Sequence, residues 1–339
     1  MQTKRLRQPD IARGIAIICI VLGHMGNSSI NRFVFTFHVP VFYLLSGYFL
    51  NEQDSLKDYL RKRSRSLLQP YAVTCIGVIL IELLLNSFVK VPQPAGAVFR
   101  KWLGAALYGA GDSYQEPFVI QGIGAIWFLL ALFWAGLGMQ CLLKCTPGLR
   151  PVIVAVVFFL SGLSRRLFWF PLSIQAGGTG LLFVYLGYLG KDLVPAFQAQ
   201  RREIRLAALL GAFWVWGSFI CDFRSFWLVH SDCGRGVVDI FGSLCACACV
   251  LYLSGIIEKR SGGIAGALEY LGRYSLLVLC IHTIELELFP WHRLEEALFG
   301  ELTGPGHYGL LILAKFLWIL PLTVLFEKWS VTRRLFGYH

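Results

Sequence analysis

The sequence predicts an all-α polytopic membrane protein of about ten transmembrane helices with both termini cytoplasmic, and three observations carry that reading. Hydrophobic residues fill 56% and charged residues 15% of the 339 positions, with a mean hydropathy of +0.61. Soluble domains run nearer to about 45–50% apolar and 25% charged. Apolar runs close to the roughly 20 residues that a bilayer demands recur throughout the chain, separated by short polar or basic breaks. Lys and Arg gather in alternate breaks, as expected if positive charge is kept on the cytoplasmic side.

Taken in order, the runs predict helices at about 11–26, 33–50, 68–89, 122–143, 151–164, 177–190, 206–221, 236–257, 274–290 and 308–327. Met1 to Gln8 is basic, and the run from Ile11 to Met25 reaches the Asn27-Ser28-Ser29 turn without a cleavage site, so it reads as a retained first helix. With the N-terminus inside, the internal segments collect Lys4, Arg5, Arg7 and Arg13, then Lys57, Arg61, Lys62, Arg63 and Arg65, then Lys144 and Arg150. They continue with Lys191, Arg201, Arg202 and Arg205, with Lys259, Arg260 and Arg273, and with Lys328, Arg333 and Arg334. The external segments hold fewer than half as many: Arg32, Lys90, Arg100, Lys101, Arg165, Arg166, Arg224, Arg235 and Arg293. This asymmetry absorbs most of the net charge of +11, so the partner it indicates is the lipid bilayer rather than nucleic acid.

The longest external connection, about residues 90–121, carries Pro92, Pro94, Gly104, Gly109, Gly111 and Pro117 around an aromatic and aliphatic stretch from Phe99 to Tyr108. That stretch suits an amphipathic segment at the membrane surface. No fixed-period repeat or low-complexity tract interrupts the chain, and residues 1–339 read as a single domain. Most of the ten cysteines lie in apolar runs; Cys245, Cys247 and Cys249 alternate with alanine and serve as small hydrophobes. Their spacing is not that of a metal site. Cys221 and Cys233 share one external loop, and whether they pair stays open.

Ionisable side chains inside a lipid-spanning helix cost about 2.5–3.5 kcal/mol on insertion scales, so each is a site hypothesis. Arg13 and His24 lie eleven residues apart, close to three turns. They therefore share one face of helix 1 with about 16 Å of rise between them. Arg13 alone also reads as a positive-inside anchor, and His24 as an interfacial cap. Their joint phase favours a site, because imidazole removes protons near neutral pH and arginine at the cytoplasmic mouth suits a phosphorylated ligand. Asp10 pairs with Arg13 but is roughly 20 Å from His24 along the same helix. In helix 2, His38 begins the descent, Pro40 removes a backbone donor, and Ser46 and Gly47 serve either the site or close helix packing. The basic run Arg61-Lys62-Arg63-Ser64-Arg65 reads equally as a topology determinant and as a diphosphate or headgroup site. His282, with Glu285 one turn on, is a second candidate base or a helix-to-helix bond. Glu116 and Trp127 suit an acceptor mouth, although Trp at a boundary also acts as an anchor.

The order of these segments resembles the acyltransferase-3 family of bacterial membrane O-acyltransferases. Asp10-Ile-Ala-Arg13-Gly precedes Val21-Leu-Gly-His24, and Phe37-His38-Val-Pro40-Val-Phe42-Tyr-Leu-Leu-Ser46-Gly47-Tyr48 follows. Arg61-Lys-Arg63-Ser-Arg65 then leads to Gln69-Pro70-Tyr71, and later come Ile126-Trp127-Phe128-Leu129, Val184-Tyr-Leu-Gly-Tyr188, and Leu271-Gly272-Arg-Tyr-Ser275 before Ile281-His282. The Phe-His-Val-Pro and Trp-Phe-Leu segments look most like the sugar O-acetylase branch, including fucose 4-O-acetylase-like members. The resemblance implies a ten-helix fold in a bacterial cytoplasmic membrane, an acyl-CoA donor (commonly acetyl-CoA) used from the cytoplasm, no bound cofactor or metal, and a glycan hydroxyl as acceptor. It maps the catalytic pair onto Arg13 and His24 and the basic stretch onto Arg63 and Arg65, while His38, Ser46, Glu116, Trp127 and His282 are expected as substrate contacts from the residues themselves. Val39 departs from the Met often found there and preserves an apolar surface. A transporter or flippase of a small molecule or glycan precursor is the rival class; such folds often carry internal repeats, and none is evident.

Overall fold

The computed structural model describes residues 6–116, 118–260, 262–291 and 305–337. Lys4, Arg5, Pro117 and Arg293, used in the sequence reading, lie outside the described residues. Regular structure among the described residues is helical, and extended pairing is limited to an isolated bridge between Tyr114 and Ile120. In chain order the helices are α1 (Arg7–Gly23), α2 (Ser28–Val34), α3 (His38–Tyr48), α4 (Leu56–Arg63), α5 (Gln69–Asn86), α6 (Ala95–Tyr108) and α7 (Trp127–Leu142). Then follow α8 (Arg150–Ser164), α9 (Ile174–Gln198), α10 (Arg202–Cys221), α11 (Val237–Lys259), α12 (Gly263–Arg273), α13 (Ser275–Leu288), α14 (Pro305–Lys328) and α15 (Ser330–Leu335). A π-helical segment, Ser64–Leu68, joins α4 to α5.

Six helices among the described residues are long and apolar enough to cross a membrane, or seven if α12 and α13, broken at Tyr274, form one span. Other apolar helices are shorter. The first has 17 residues and rises about 26 Å, less than the roughly 30 Å hydrocarbon core. The expected helix at 33–50 is divided into α2 and α3 by a turn at residues 35–37. Pro40 explains the division: it occupies the third position of α3, where a missing N–H is harmless, and it could not have sat in the interior of a continuous helix without removing a bond. Asn27 starts α2 by accepting from the Ile30 N–H at 3.0 Å. Within the stretch expected to be amphipathic, α6 buries Val98, Trp102 and Ala105 at helical spacing and ends at Gly109, whose φ of +66° suits glycine.

The chain divides into two units. The first comprises residues 1–56, 134–163 and 178–275, and the second residues 57–133, 164–177 and 276–339. The core of the first joins Ala12, Ala16 and Cys19 of α1 to Val41 and Leu45 of α3 and to Ala246, Cys247 and Val250 of α11. In the second, Ala110, Ile120 and Trp169 close a small cluster beneath the loop that precedes α7.

Candidate active site

In the first unit the polar groups of α1 are fixed by backbone contact with α12. A Cβ on Gly14 would collide with the Leu268 carbonyl, and one on Gly272 with the Asp10 carbonyl. Only residues without side chains let the two helices approach this far. Gln8 adds a bond to the Leu251 carbonyl at 2.8 Å, and Arg7 pairs with Glu269 of α12. Asp10 is buried by this packing, and a buried carboxylate needs a partner. Arg13 provides it, with Nη1 3.0 Å from Asp10 Oδ1 and a side chain that keeps 26% of its surface. Its guanidinium also lies 5.8 Å from the Phe49 ring centroid.

At the other end of α1, His24 is the residue that terminates the helix. Its Nδ1 lies 2.8 Å from the Ile20 carbonyl oxygen, one of the carbonyls a helix end leaves without a partner. A carbonyl only accepts, so Nδ1 carries the hydrogen. In the neutral ring, the lone pair is then on Nε2. The same device recurs at the end of α2, where Nδ1 of the buried His38 meets the Val34 carbonyl at 2.6 Å. Both histidines are therefore set in the tautomer that accepts a proton at Nε2.

Aromatic rings tie these residues into one cluster of the first unit. Phe35 lies beside Gly23, where a Cβ would come 2.7 Å from its ring, and its centroid is 5.0 Å from His38. Trp227 meets Phe35 edge to face at 5.5 Å, and His230 lies 5.5 Å beyond Trp227. Ser46 sits eight residues along α3 from His38, about 12 Å down the axis, nearer in the chain to Phe49 and thus to the Arg13 end. Next to it, Gly47 faces the Val184 carbonyl and Gly187 the Leu44 carbonyl, so α3 and α9 also touch through their backbones. Cys221 and Cys233 are not joined in a disulfide.

The remaining expected residues belong to the second unit. Arg63 lies 5.6 Å over the Tyr59 ring. Arg65 is exposed in the π-helical segment, a distortion often found at functional positions. Glu116 is exposed in the loop before α7, and Trp127 is the buried first residue of that helix. His282 is fully buried, with Nδ1 2.6 Å from Glu285 Oε1. Glu285 also accepts from Lys315 Nζ at 3.0 and 3.2 Å and from the Trp291 indole. Lys315, itself buried, is 4.1 Å from the Trp291 ring centroid. Sequence reasoning missed two features. Lys315 carried a signal, being a lone cation in the middle of an apolar run; Trp227 carried none beyond being an aromatic residue in a loop. Among the described residues no three His, Cys, Asp or Glu side chains are grouped to hold a metal ion.

The two units thus contain two different histidine sites, one exposed and backbone-capped and one buried and carboxylate-bound. No curated protein and no solved structure matches the chain. The acyltransferase domain model of the acyltransferase-3 family matches residues 6–327, a span that includes residues of both units and all the candidate site residues. With that coverage and its apolar helices, the chain belongs to the acyltransferase-3 family and is, in general terms, a membrane acyltransferase.

Proposed function

We propose that the protein is an O-acetyltransferase that moves an acetyl group from cytoplasmic acetyl-CoA to a hydroxyl of a cell-surface or secreted glycan, with His24 as general base. The observation that supports this most is the hydrogen bond from His24 Nδ1 to the Ile20 carbonyl. It leaves Nε2 as the basic atom of an exposed imidazole. In the proposed reaction the acceptor oxygen attacks the thioester carbonyl while its proton passes to His24 Nε2. The tetrahedral intermediate then collapses with cleavage of the carbon–sulfur bond, and the departing CoA sulfur takes the proton from the imidazolium.

Arg13 is assigned to the phosphates of the donor. Its rise of about 16 Å below His24 is of the order of an extended pantetheine arm, along which Ser46 lies as a further contact. His38 is assigned to orienting the acceptor. In the second unit Arg63 and Arg65 offer positive charge to an anionic nucleotide or headgroup, and Glu116 and Trp127 are retained as substrate contacts, whereas the enclosed His282, bound to Glu285, is assigned to helix packing instead of to substrate. The accompanying topology is ten spans of a single domain, residues 1–339, in the bacterial cytoplasmic membrane with both termini inside.

Purified protein in vesicles should label a glycan acceptor from radiolabelled acetyl-CoA, and His24→Ala should lose that labelling at an unchanged thermal midpoint. Full labelling by the variant would remove His24 as base. Acceptor movement across the vesicle membrane without acetyl-CoA would instead favour transport.

A further inference from the structure

The loop between α10 and α11 is built at some expense for a connection of 15 residues. Phe226 and Leu228 are buried on either side of Trp227, which keeps 42% of its surface. The buried Phe226 is edge-packed on Phe183 and Phe219. The Trp227 carbonyl accepts from the backbone N–H groups of His230 at 2.9 Å and Asp232 at 3.1 Å. Asp232 in turn accepts from Ser225 Oγ and from the Gly234 N–H at 3.1 Å. Arg235 clamps the start of α11 by donating through Nε and Nη2 to Asp239, at 2.8 and 2.6 Å, and through Nη1 to Asp222. Gly234 has φ +53°, and a side chain there would meet the Asp239 carboxylate and the Ser225 carbonyl. A loop fastened at this many points holds one exposed indole in one place.

Where it holds that indole is informative. The ring meets Phe35, which meets Gly23, the residue before His24. Sugar rings have an apolar face of electron-poor C–H groups, which the negative face of an aromatic ring attracts. They are rimmed by hydroxyls that need polar neighbours, and His230 lies beside this indole, its ring centroid 5.5 Å away. We propose that Trp227 is the specificity-determining platform for the acceptor, stacking on the apolar face of a pyranose ring and presenting one of its hydroxyls toward His24. This rests on the glycan-acetylating reading above. A membrane anchor is the competing role for a boundary Trp, and an anchor requires neither the fastening nor the connection through Phe35. Trp214 on α10, 73% exposed, is the matched control.

Full-length protein in lipid nanodiscs, without acetyl-CoA, would be tested by saturation-transfer NMR with methyl α-L-fucopyranoside and methyl β-D-galactopyranoside. Transfer to the C–H protons of one ring face is expected. It should fall at least fivefold in Trp227→Ala, be largely kept in Trp227→Phe, and be unchanged in Trp214→Ala. In acetyl transfer to the bound glycoside, Trp227→Ala should raise the acceptor KM tenfold or more and leave kcat and the acetyl-CoA KM within twofold. Absence of transfer to either glycoside in the parent protein, an unchanged signal in Trp227→Ala, or an equal loss in Trp214→Ala would overturn the platform. Trp227-dependent binding with no acetyl transfer by the parent would keep the platform and reject the acetylation reading. Acetyl transfer with an unaltered acceptor KM in Trp227→Ala would do the reverse.

Discussion

His24 in the first unit and His282 in the second hold the same ring atom in a hydrogen bond, yet the bonds do different work. His24 Nδ1 caps a backbone carbonyl at an exposed helix end, a neutral acceptor that fixes the tautomer without adding charge. His282 Nδ1 faces the Glu285 carboxylate, which Lys315 and Trp291 also bind in the helix interior. There the carboxylate and ammonium balance each other, and His282, Glu285 and Lys315 are all buried. A base that must meet substrate needs access, whereas a buried charge network needs completeness. The first arrangement suits proton transfer and the second suits holding helices α13 and α14 together.

Substitutions should separate these roles. The largest effect is expected from His24→Ala, which should lower acetyl transfer by about 10²–10⁴-fold, the usual contribution of a general base, at constant thermal midpoint. His282→Ala should instead lose about 1.5–3 kcal/mol of stability, as expected for one hydrogen bond to a charged group, with transfer falling only in proportion to folded protein. Next, Lys315→Ala leaves Glu285 without its cation and should cost about 3–5 kcal/mol, whereas Lys315→Met combined with Glu285→Gln should recover much of it. Denaturation in one detergent compares the three; a neutral Lys315→Ala would mean that the network contributes nothing to stability.

Smaller effects test what positions the Arg13 end. Gly272→Ala places a methyl group against the Asp10 carbonyl and should cost about 1–3 kcal/mol, as overpacking does, while raising the KM for acetyl-CoA. A KM that stays fixed would detach the α1 and α12 contact from donor binding. The smallest concerns Glu52, in the loop after α3, which pairs with Lys191 at 2.9 Å. That hydrogen bond holds its carboxyl below the ordinary value of 4.5. The pair's contribution is therefore present above that value and lost as pH falls through the depressed one. With half of the Glu52 side chain exposed, it amounts to about 0–1 kcal/mol. Thermal midpoints below about pH 4.5 should accordingly decline less steeply in Glu52→Gln than in the parent protein; identical slopes would count against the pair.

Much of the fold was legible because it rests on local periodicity. The apolar runs located the long helices; Arg13 lies within α1, and His24 is the residue that ends it. Pro40 announced a disturbance in the second run but not that the chain would turn before it and leave His38 to cap α2. Glu285 and Lys315 meet across 30 positions, a distance over which hydropathy says nothing about partners. Trp227 was missed because its setting is tertiary. Its neighbours Phe226 and Leu228 are buried by residues of other helices, and Phe35 reaches it from the far end of the first unit's sequence.

The most direct test of the central claim is chemical rescue. His24→Gly and His282→Gly proteins, reconstituted in vesicles with labelled acetyl-CoA and a glycan acceptor, would be assayed with increasing free imidazole. The account predicts that imidazole restores acetyl transfer to His24→Gly in a concentration-dependent manner and gives no increase with His282→Gly. Undiminished transfer by His24→Gly before any imidazole is added, or rescue confined to His282→Gly, would contradict it.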